Sequence, residues 1–261
     1  MSKTADVVSR WRDTGVNNGD VVLLHSSVSR MMRTIQLENP NFSLTDLLDS
    51  LLAAVGTNGT LLLPTFNFTF CNQKKYDYSR TPSAMGALTE AGRLDPRFER
   101  TQHPVYSFAV SGKYAKDFVK LENVSALADD GPFGLLRRLD GKISVVDLDD
   151  QNSMTIYHHI EEVNQVSYRY HKSFTGTYRD RVGDESVRTY QLFVWDEIRG
   201  TRTDVNRAGE LLWEQGHYVG NRPGIGTGIR TIRAEAMFLS ITEVIQRGAA
   251  REYLYSIEKS H

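Results

Sequence analysis

Two short, almost unbroken apolar runs constrain this chain more than any other feature. Asp20-Val21-Val22-Leu23-Leu24-His25 and Thr60-Leu61-Leu62-Leu63 lack an alternating polar face. Each therefore reads as a strand buried on both sides, as in a sheet covered by helices. Between them, Leu47, Leu48, Leu51, Leu52 and Val55 recur at helical spacing, with Ser43 or Thr45 as the cap and Gly56 as the stop. An opening helix carries Val7, Val8, Trp11 and Arg12 on one face and ends near Gly15.

The same reasoning organises the rest. Thr65 to Pro82 is polar and aromatic without a period, and at that length is expected to be a binding loop. Ser83 to Glu90 reads as a loop entering a helix, Val105–Val110 and Ile143–Val146 as strands, and Gln151 or Ser153 as the start of a helix running past Glu161. Ser167 to Trp195 is rich in aromatic and β-branched residues, with turn signals at Thr175-Gly176 and Gly183-Asp184, so antiparallel strands are expected. Helices follow over Asn206–Gln215 and Arg233–Arg247, the latter with Ala236, Met237, Ser240, Ile241, Val244 and Ile245 inward. The fold class is α/β, a single domain over residues 1–261, with a central mixed sheet flanked by helices and a partly antiparallel C-terminal half.

Composition narrows the partners. Lys and Arg number 31 against 32 Asp and Glu, a net charge of −1, which argues against broad binding to nucleic acid. The apolar stretch from Leu47 to Val55 is about half of the ~20 residues needed to cross a bilayer. Met1 to Asp6 has no apolar signal region, so a cytoplasmic protein is expected, with no membrane partner. Cys71 is the single cysteine and cannot form an internal bridge. A chain this long buries roughly 70–75% of its unfolded surface and needs no such staple. A homodimer is the prior for any oligomer.

Familiar cofactor signatures are missing: there is no Walker A sequence, no Gly-x-Ser-x-Gly elbow and no Cys-x-x-Cys pair. Gly224-Ile225-Gly226-Thr227-Gly228 has no strand leading directly into it; it reads as a plain turn, or as amides meeting an anion at the start of the last helix. His103 precedes Pro104, which restricts its backbone. His158 and Glu161, like His159 and Glu162, are three residues apart and share a helix face. Such pairs are either local charge pairs on a solvated helix or a general base with its orienting carboxylate. Adjacent histidines on a helix point in different directions, which disfavours a metal site.

Five motifs in order resemble the aminoglycoside 3-N-acetyltransferase family. They are Gly19–Ser27 with its His25-Ser26-Ser27, Gly59–Phe66, Thr81–Glu90, His103–Gly112 in a His-Pro-x-x-Ser pattern, and Asn152 with Thr155–Glu161 in an Asn-x-Thr…His-x-x-Glu pattern. The resemblance is clearest from Gly19 to Glu162. It implies an α/β fold, acetyl-coenzyme A (acetyl-CoA) as cosubstrate with no metal, and acetyl transfer to an amine. His158 matches the family's base, and Glu161 is the candidate to orient it. The coenzyme is expected along His25, Ser26, Ser27, Ser83, Met85, Gly86, His103 and Ser107.

Departures from the family bear on the acceptor. The loop Thr65–Phe70, with Asn67 as a substrate candidate, has no acid until Asp77. Val166 to Arg181 carries Arg169, Lys172, Arg179 and Arg181 against Asp180 alone, four minus one or +3 before His171 is counted. Such a segment favours phosphate over a polycation, which makes Arg169, His171 and Lys172 substrate contacts, with Tyr168, Tyr170, Phe174 and Tyr178 as stacking surface. A half-exposed ribbon with a solvated basic face is the bland alternative. The expected acceptor is an amino sugar, preferentially nucleotide-linked; a true aminoglycoside is the alternative. Two readings from other classes are a metal-dependent hydrolase using His158, His159, Glu161 and His103, and a non-catalytic binder.

Overall fold

Alternation along the central strands decides the architecture. Val22, Leu24, Leu61, Leu63 and Val146 point into a core with Val7, Trp11, Leu47, Leu48 and Leu51. Their neighbours Leu23, Leu62, Ile143 and Val145 point the other way, among Phe133, Ile156, Tyr157, Ile160 and Met237. With both faces apolar, helices must cover both.

The computed structural model describes residues 4–257. Its first half runs α1 (Ala5–Asp13), β1 (Val21–Ser26), α2 (Ser29–Glu38), α3 (Leu44–Val55), β2 (Thr60–Pro64), β3 (Tyr76–Asp77) and α4 (Ala87–Leu94). Then come β4 (Glu99–Arg100), β5 (Phe108–Gly112), α5 (Ala115–Val119), α6 (Pro132–Arg138) and β6 (Lys142–Val146). The second half begins with α7 (Ile156–Val163), β7 (Arg169–Arg179), β8 (Glu185–Trp195) and β9 (Thr201–Thr203). It continues through α8 (Asn206–Glu214), β10 (Tyr218–Gly220), β11 (Ile229–Arg233), α9 (Ala234–Gln246), α10 (Ala250–Tyr253) and β12 (Tyr255–Ile257).

The main sheet has the order β10-β11-β6-β1-β2-β5-β4. β6, β1 and β2 are parallel, and the strands outside them are antiparallel. The carboxyl ends of β1 and β6 lie side by side, Ser26 opposite Val146, where open α/β sheets form ligand crevices. β7 and β8 form a long hairpin that pairs with β3 in a separate sheet. The mixed sheet and antiparallel C-terminal half expected from the sequence are both present.

Helix α3 starts where Ser43 closes a capping box: Ser43 Oγ accepts from Asp46 N at 3.2 Å, and Asp46 Oδ2 accepts from Ser43 N at 2.8 Å. Ser43→Ala is expected to cost about 1 kcal/mol. In urea, the midpoint should fall at unchanged slope; an unmoved midpoint would show that the cap contributes nothing.

Several boundaries differ from expectation. α7 begins at Ile156 rather than Gln151 or Ser153, because the preceding loop is held from outside: Gln151 N donates to Asn206 Oδ1 and Gln151 Oε1 accepts from Val205 N. Thr175-Gly176 is not a turn but mid-strand in β7, where glycine is needed because a Cβ would stand 2.9 Å from the Phe70 ring. The hairpin reverses only at Asp180–Asp184, where Asp180 Oδ1 accepts three backbone N–H groups. Val105 to Ser107 precedes β5, being taken up by a turn around His103. The glycine-rich stretch is a 3-10 turn leading into β11, not the last helix. Gly224 N donates to Glu210 Oε1 and Gly228 N to Asp147 Oδ1, so a plain turn is what forms.

No helix among the described residues is long and apolar enough to cross a membrane. Met1 to Lys3, part of the amino-terminal segment read above, lie outside the described residues.

Candidate active site

α7 carries His158 and Glu161 one turn apart, and its packing on α9 and the sheet buries the carboxylate completely. Glu161 Oε1 accepts from the Tyr168 hydroxyl at 2.9 Å, while Oε2 lies 3.0 Å from His158 Nδ1 and 2.7 Å from Arg169 Nε. Arg169 opens β7 and is itself almost wholly enclosed, its side chain 3% exposed. Nη1 donates to Phe193 O and Nη2 to Thr203 Oγ1, and Nη2 also stands 2.9 Å from His158 Nδ1.

Electrostatics follow from this packing. Burial alone would raise the Glu161 carboxyl, but Arg169, His158 and Tyr168 together hold it below its ordinary value. His158 is pushed down, first by burial and then by Arg169, against the pull of Glu161. Nδ1 stands between a carboxylate that only accepts and a guanidinium N–H that only donates. A proton on Nδ1 bonds Glu161 and leaves Nε2 as the acceptor, whereas a bare Nδ1 takes the Arg169 N–H and puts the ring proton on Nε2. The ring is neutral at pH 7, and in the first of these two tautomers Nε2 is free to accept a proton.

The His158 side chain is 19% exposed, and that exposure opens on both sides. A cavity of about 230 Å³ meets it with Phe68, Tyr106, Lys172, Phe174 and Trp195 in its wall. A second, of about 290 Å³, meets it with Gln151, Asn152, Ser153, Thr155 and Thr203. One imidazole thus belongs to the walls of an aromatic chamber and a polar one.

Other sequence candidates fall into three groups. His25, Ser26 and Ser27 stand at the carboxyl end of β1 as expected. His25 Nε2 and Ser26 Oγ are buried with no hydrogen-bond partner among the described residues, which fits a polar ligand at this strand end. Burial and then Arg230 push His25 down to about 3, so it is neutral. Gly86 is exposed at φ +118° with open space beyond its Cα, which leaves room for close backbone approach.

A second group is spent internally. Ser107 is fully buried, accepting from Arg100 Nε at 2.9 Å and bonded to Thr65 Oγ1; it is not presented to a coenzyme. His103 is only half committed: Nδ1 accepts from Val105 N and Tyr106 N, while Nε2 is buried with no hydrogen-bond partner among the described residues. Burial lowers the ring to about 3, and it lines a different cavity with Glu122, Asn123 and Arg188. Ser83 Oγ accepts from Met85 N and is bonded to Thr89 Oγ1, with Met85 packed against the core. Asn67 donates to Pro82 O and accepts from Thr69 N and Oγ1, shaping its loop from within.

The basic segment is the clearest correction. Arg169 is buried against Glu161, Arg179 pairs with Asp77 at 3.6 Å and Arg181 with Glu99 at 3.0 Å. His171 Nε2 lies 3.1 Å from Glu162 Oε1. Lys172 alone of the four cations remains at the aromatic cavity with no carboxylate in ion-pair range among the described residues. Three of the four cations counted in the sequence are thus matched by carboxylates from elsewhere in the chain, which removes the reason to prefer a phosphate-bearing acceptor. His159 is also structural: Nδ1 donates to Leu127 O at 2.7 Å, and burial lowers the ring to about 4. Among the described residues, no three of His, Cys, Asp and Glu come together to hold a metal ion.

A family model described as aminoglycoside 3-N-acetyltransferase matches residues 23–249. The chain belongs to this family. An aminoglycoside N(3)-acetyltransferase IV from Salmonella is 24% identical over 158 residues, covering 59% of this chain and 57% of that acetyltransferase. The aligned part thus spans little more than half the length of the curated relative. Among solved acetyltransferases, AAC-IIIb in its binary complex with CoASH superposes with a TM-score of 0.77 at 16% identity, covering 94% of this chain and 96% of that one. AAC-VIa bound to sisomicin gives 0.74 at 21% identity, covering 94% and 97%. These likenesses establish a shared acetyltransferase-family fold.

Sequence reasoning missed the role of Arg169, which it placed on a substrate surface, and gave no part to Thr203. Tyr168-Arg169 directly after the helix was a usable signal for the first; nothing local announces Thr203, thirty-four residues further on.

Proposed function

We propose that the protein, as one domain, is an acetyl-CoA-dependent N-acetyltransferase acting on an amine of an amino sugar, with His158 as general base and Glu161 orienting it. The observation that carries this is the placement of one neutral, carboxylate-backed imidazole in the wall between two cavities. Direct transfer needs that arrangement, with an acyl donor on one side and an amine on the other.

Acetyl-CoA supplies an already activated thioester, so the chain needs no covalent nucleophile. His158 Nε2 takes the proton that the amine sheds as its nitrogen bonds to the acetyl carbon and the carbon–sulfur bond breaks. Glu161 holds the ring in place, and the imidazolium formed passes its proton to the departing thiolate, which restores the neutral base. We assign Ser26, Ser27 and the open backbone at Gly86 to the coenzyme on the family motif and on the unpartnered Ser26 hydroxyl. They line neither of the two cavities at His158, so they are assigned to a part of the coenzyme away from its thioester. As acetyl-CoA is a cytoplasmic metabolite, the protein is expected to act there.

The acceptor we favour is an aminoglycoside-type polyamine. Family membership supports it, and the charge objection fell when the arginines proved to be paired. Glu197 in the wall of the aromatic cavity is a carboxylate available to an ammonium group. The test is release of free thiol from acetyl-CoA with sisomicin and, separately, with a nucleotide-linked amino sugar. Sisomicin-dependent release is expected. Turnover of the nucleotide sugar alone would overturn the acceptor, and release with no amine above acetyl-CoA hydrolysis would overturn the activity.

A further inference from the structure

We propose that Arg169 is a positioning residue of this reaction: its guanidinium locks the Glu161 carboxylate and the Nδ1 edge of His158 together, so that the ring presents Nε2 and stays in its proton-accepting form. This deepens the reading of His158 as base and rests on it.

Four contacts fix the guanidinium. Nη1 is tied to Phe193 O on the partner strand, Nη2 to Thr203 Oγ1 on β9, Nε lies against Glu161 Oε2, and Nη2 also stands beside His158 Nδ1. With its side chain 3% exposed, Arg169 shows only a sliver of its surface to the aromatic cavity. A planar fork can reach all four partners at once, which an ammonium cannot.

The effect on the ring is electrostatic. A His–Glu pair alone would draw a proton onto the imidazole, because a buried carboxylate at 3.0 Å favours imidazolium. An imidazolium cannot act as base. Arg169 already supplies the counter-charge to Glu161, so a second positive charge on His158 would be repelled across 2.9 Å. The carboxylate can orient the ring without titrating it.

The surrounding charges do not supply this effect. On α7 itself, Glu162 faces His171. Tyr168 donates to Glu161, and Lys172 and Glu197 line the aromatic cavity. In the polar cavity, Asp150 is neutralised by Arg230 at 2.7 Å. Of these groups, Glu161 and Arg169 alone touch the ring.

The experiment is the titration of the His158 ring followed by NMR, with the pH profile of kcat/KM beside it, in wild type, Arg169→Lys and Arg169→Met. Arg169→Met is expected to move the ring's midpoint and the acid limb upward by about 1 pH unit. Arg169→Lys should keep the limb near its original pH while kcat falls. If Arg169→Met does not fold, Glu161→Gln against Glu161→Gln/Arg169→Met gives the same comparison without an unpaired buried carboxylate. An unmoved ring titration, with activity lost equally at every pH, would overturn the proposal and leave Arg169 a structural residue. The titration needs no turnover, so it stands apart from any failure of the proposed activity.

Discussion

His158→Ala is expected to lower kcat by about 10²- to 10⁴-fold, with the KM for acetyl-CoA little changed. The reason is geometric: the ring is a shared wall of both cavities, and among the described residues no other imidazole lines either of them. Steady-state kinetics across pH checks it. Wild-type activity should fall off on the acid side below the ordinary histidine range, because burial and Arg169 hold His158 down and protonation removes the base. That limb should vanish in the variant. His159→Ala is the control, since its ring is committed to Leu127 O and stacks on Phe133. Its loss should reduce stability and leave the acid limb in place. Retention of more than a tenth of wild-type turnover in His158→Ala would remove the base assignment.

Arg230→Ala is expected to have the largest effect on stability, about 3–5 kcal/mol. Arg230 and Asp150 are both completely enclosed and joined at 2.7 Å, and Tyr157 and Tyr218 each donate to Asp150 Oδ2 at 2.8 Å. Removing the guanidinium leaves a buried carboxylate with hydroxyl donors but no counter-charge. Arg230 Nη1 also donates to Leu148 O, so the loop that leads into α7 loses an anchor. Urea unfolding measures the cost; a change under 1 kcal/mol would mean that the carboxyl simply takes up a proton in the folded state. Asp150→Asn, which removes the charge while keeping the shape, should cost less than Arg230→Ala.

The parallel centre of the sheet was legible because Val21–Leu24 and Leu61–Leu63 carry no polar face, a signal confined to a few adjacent residues. α3 was legible down to its stop at Gly56, with Ser43 one of two candidate caps. β11, by contrast, reads Ile229-Arg230-Thr231-Ile232-Arg233, and its arginine and threonine are buried only because Asp150 and Ser144 lie across from them in space. No local rule predicts that. For the site, His158 and Glu161 were found through helical spacing and the family motif. Charge counting then misled, because a string of arginines does not reveal that Glu161, Asp77 and Glu99 will each claim one. Ser107 sits in the family pattern but is bonded to Arg100 and Thr65, and His103 in the same motif gives its Nδ1 to a turn. A motif records which residues matter without saying whether they face the ligand or the fold.

The β7–β8 hairpin places unlike tasks on neighbouring positions. Arg169 is pinned beneath the base, while Tyr170 next to it is exposed and lines the aromatic chamber with Lys172 and Phe174. Replacing those outer side chains would change which guests are admitted without unseating the imidazole. A chain built this way can drift in its choice of amine under selection while its proton chemistry is inherited intact.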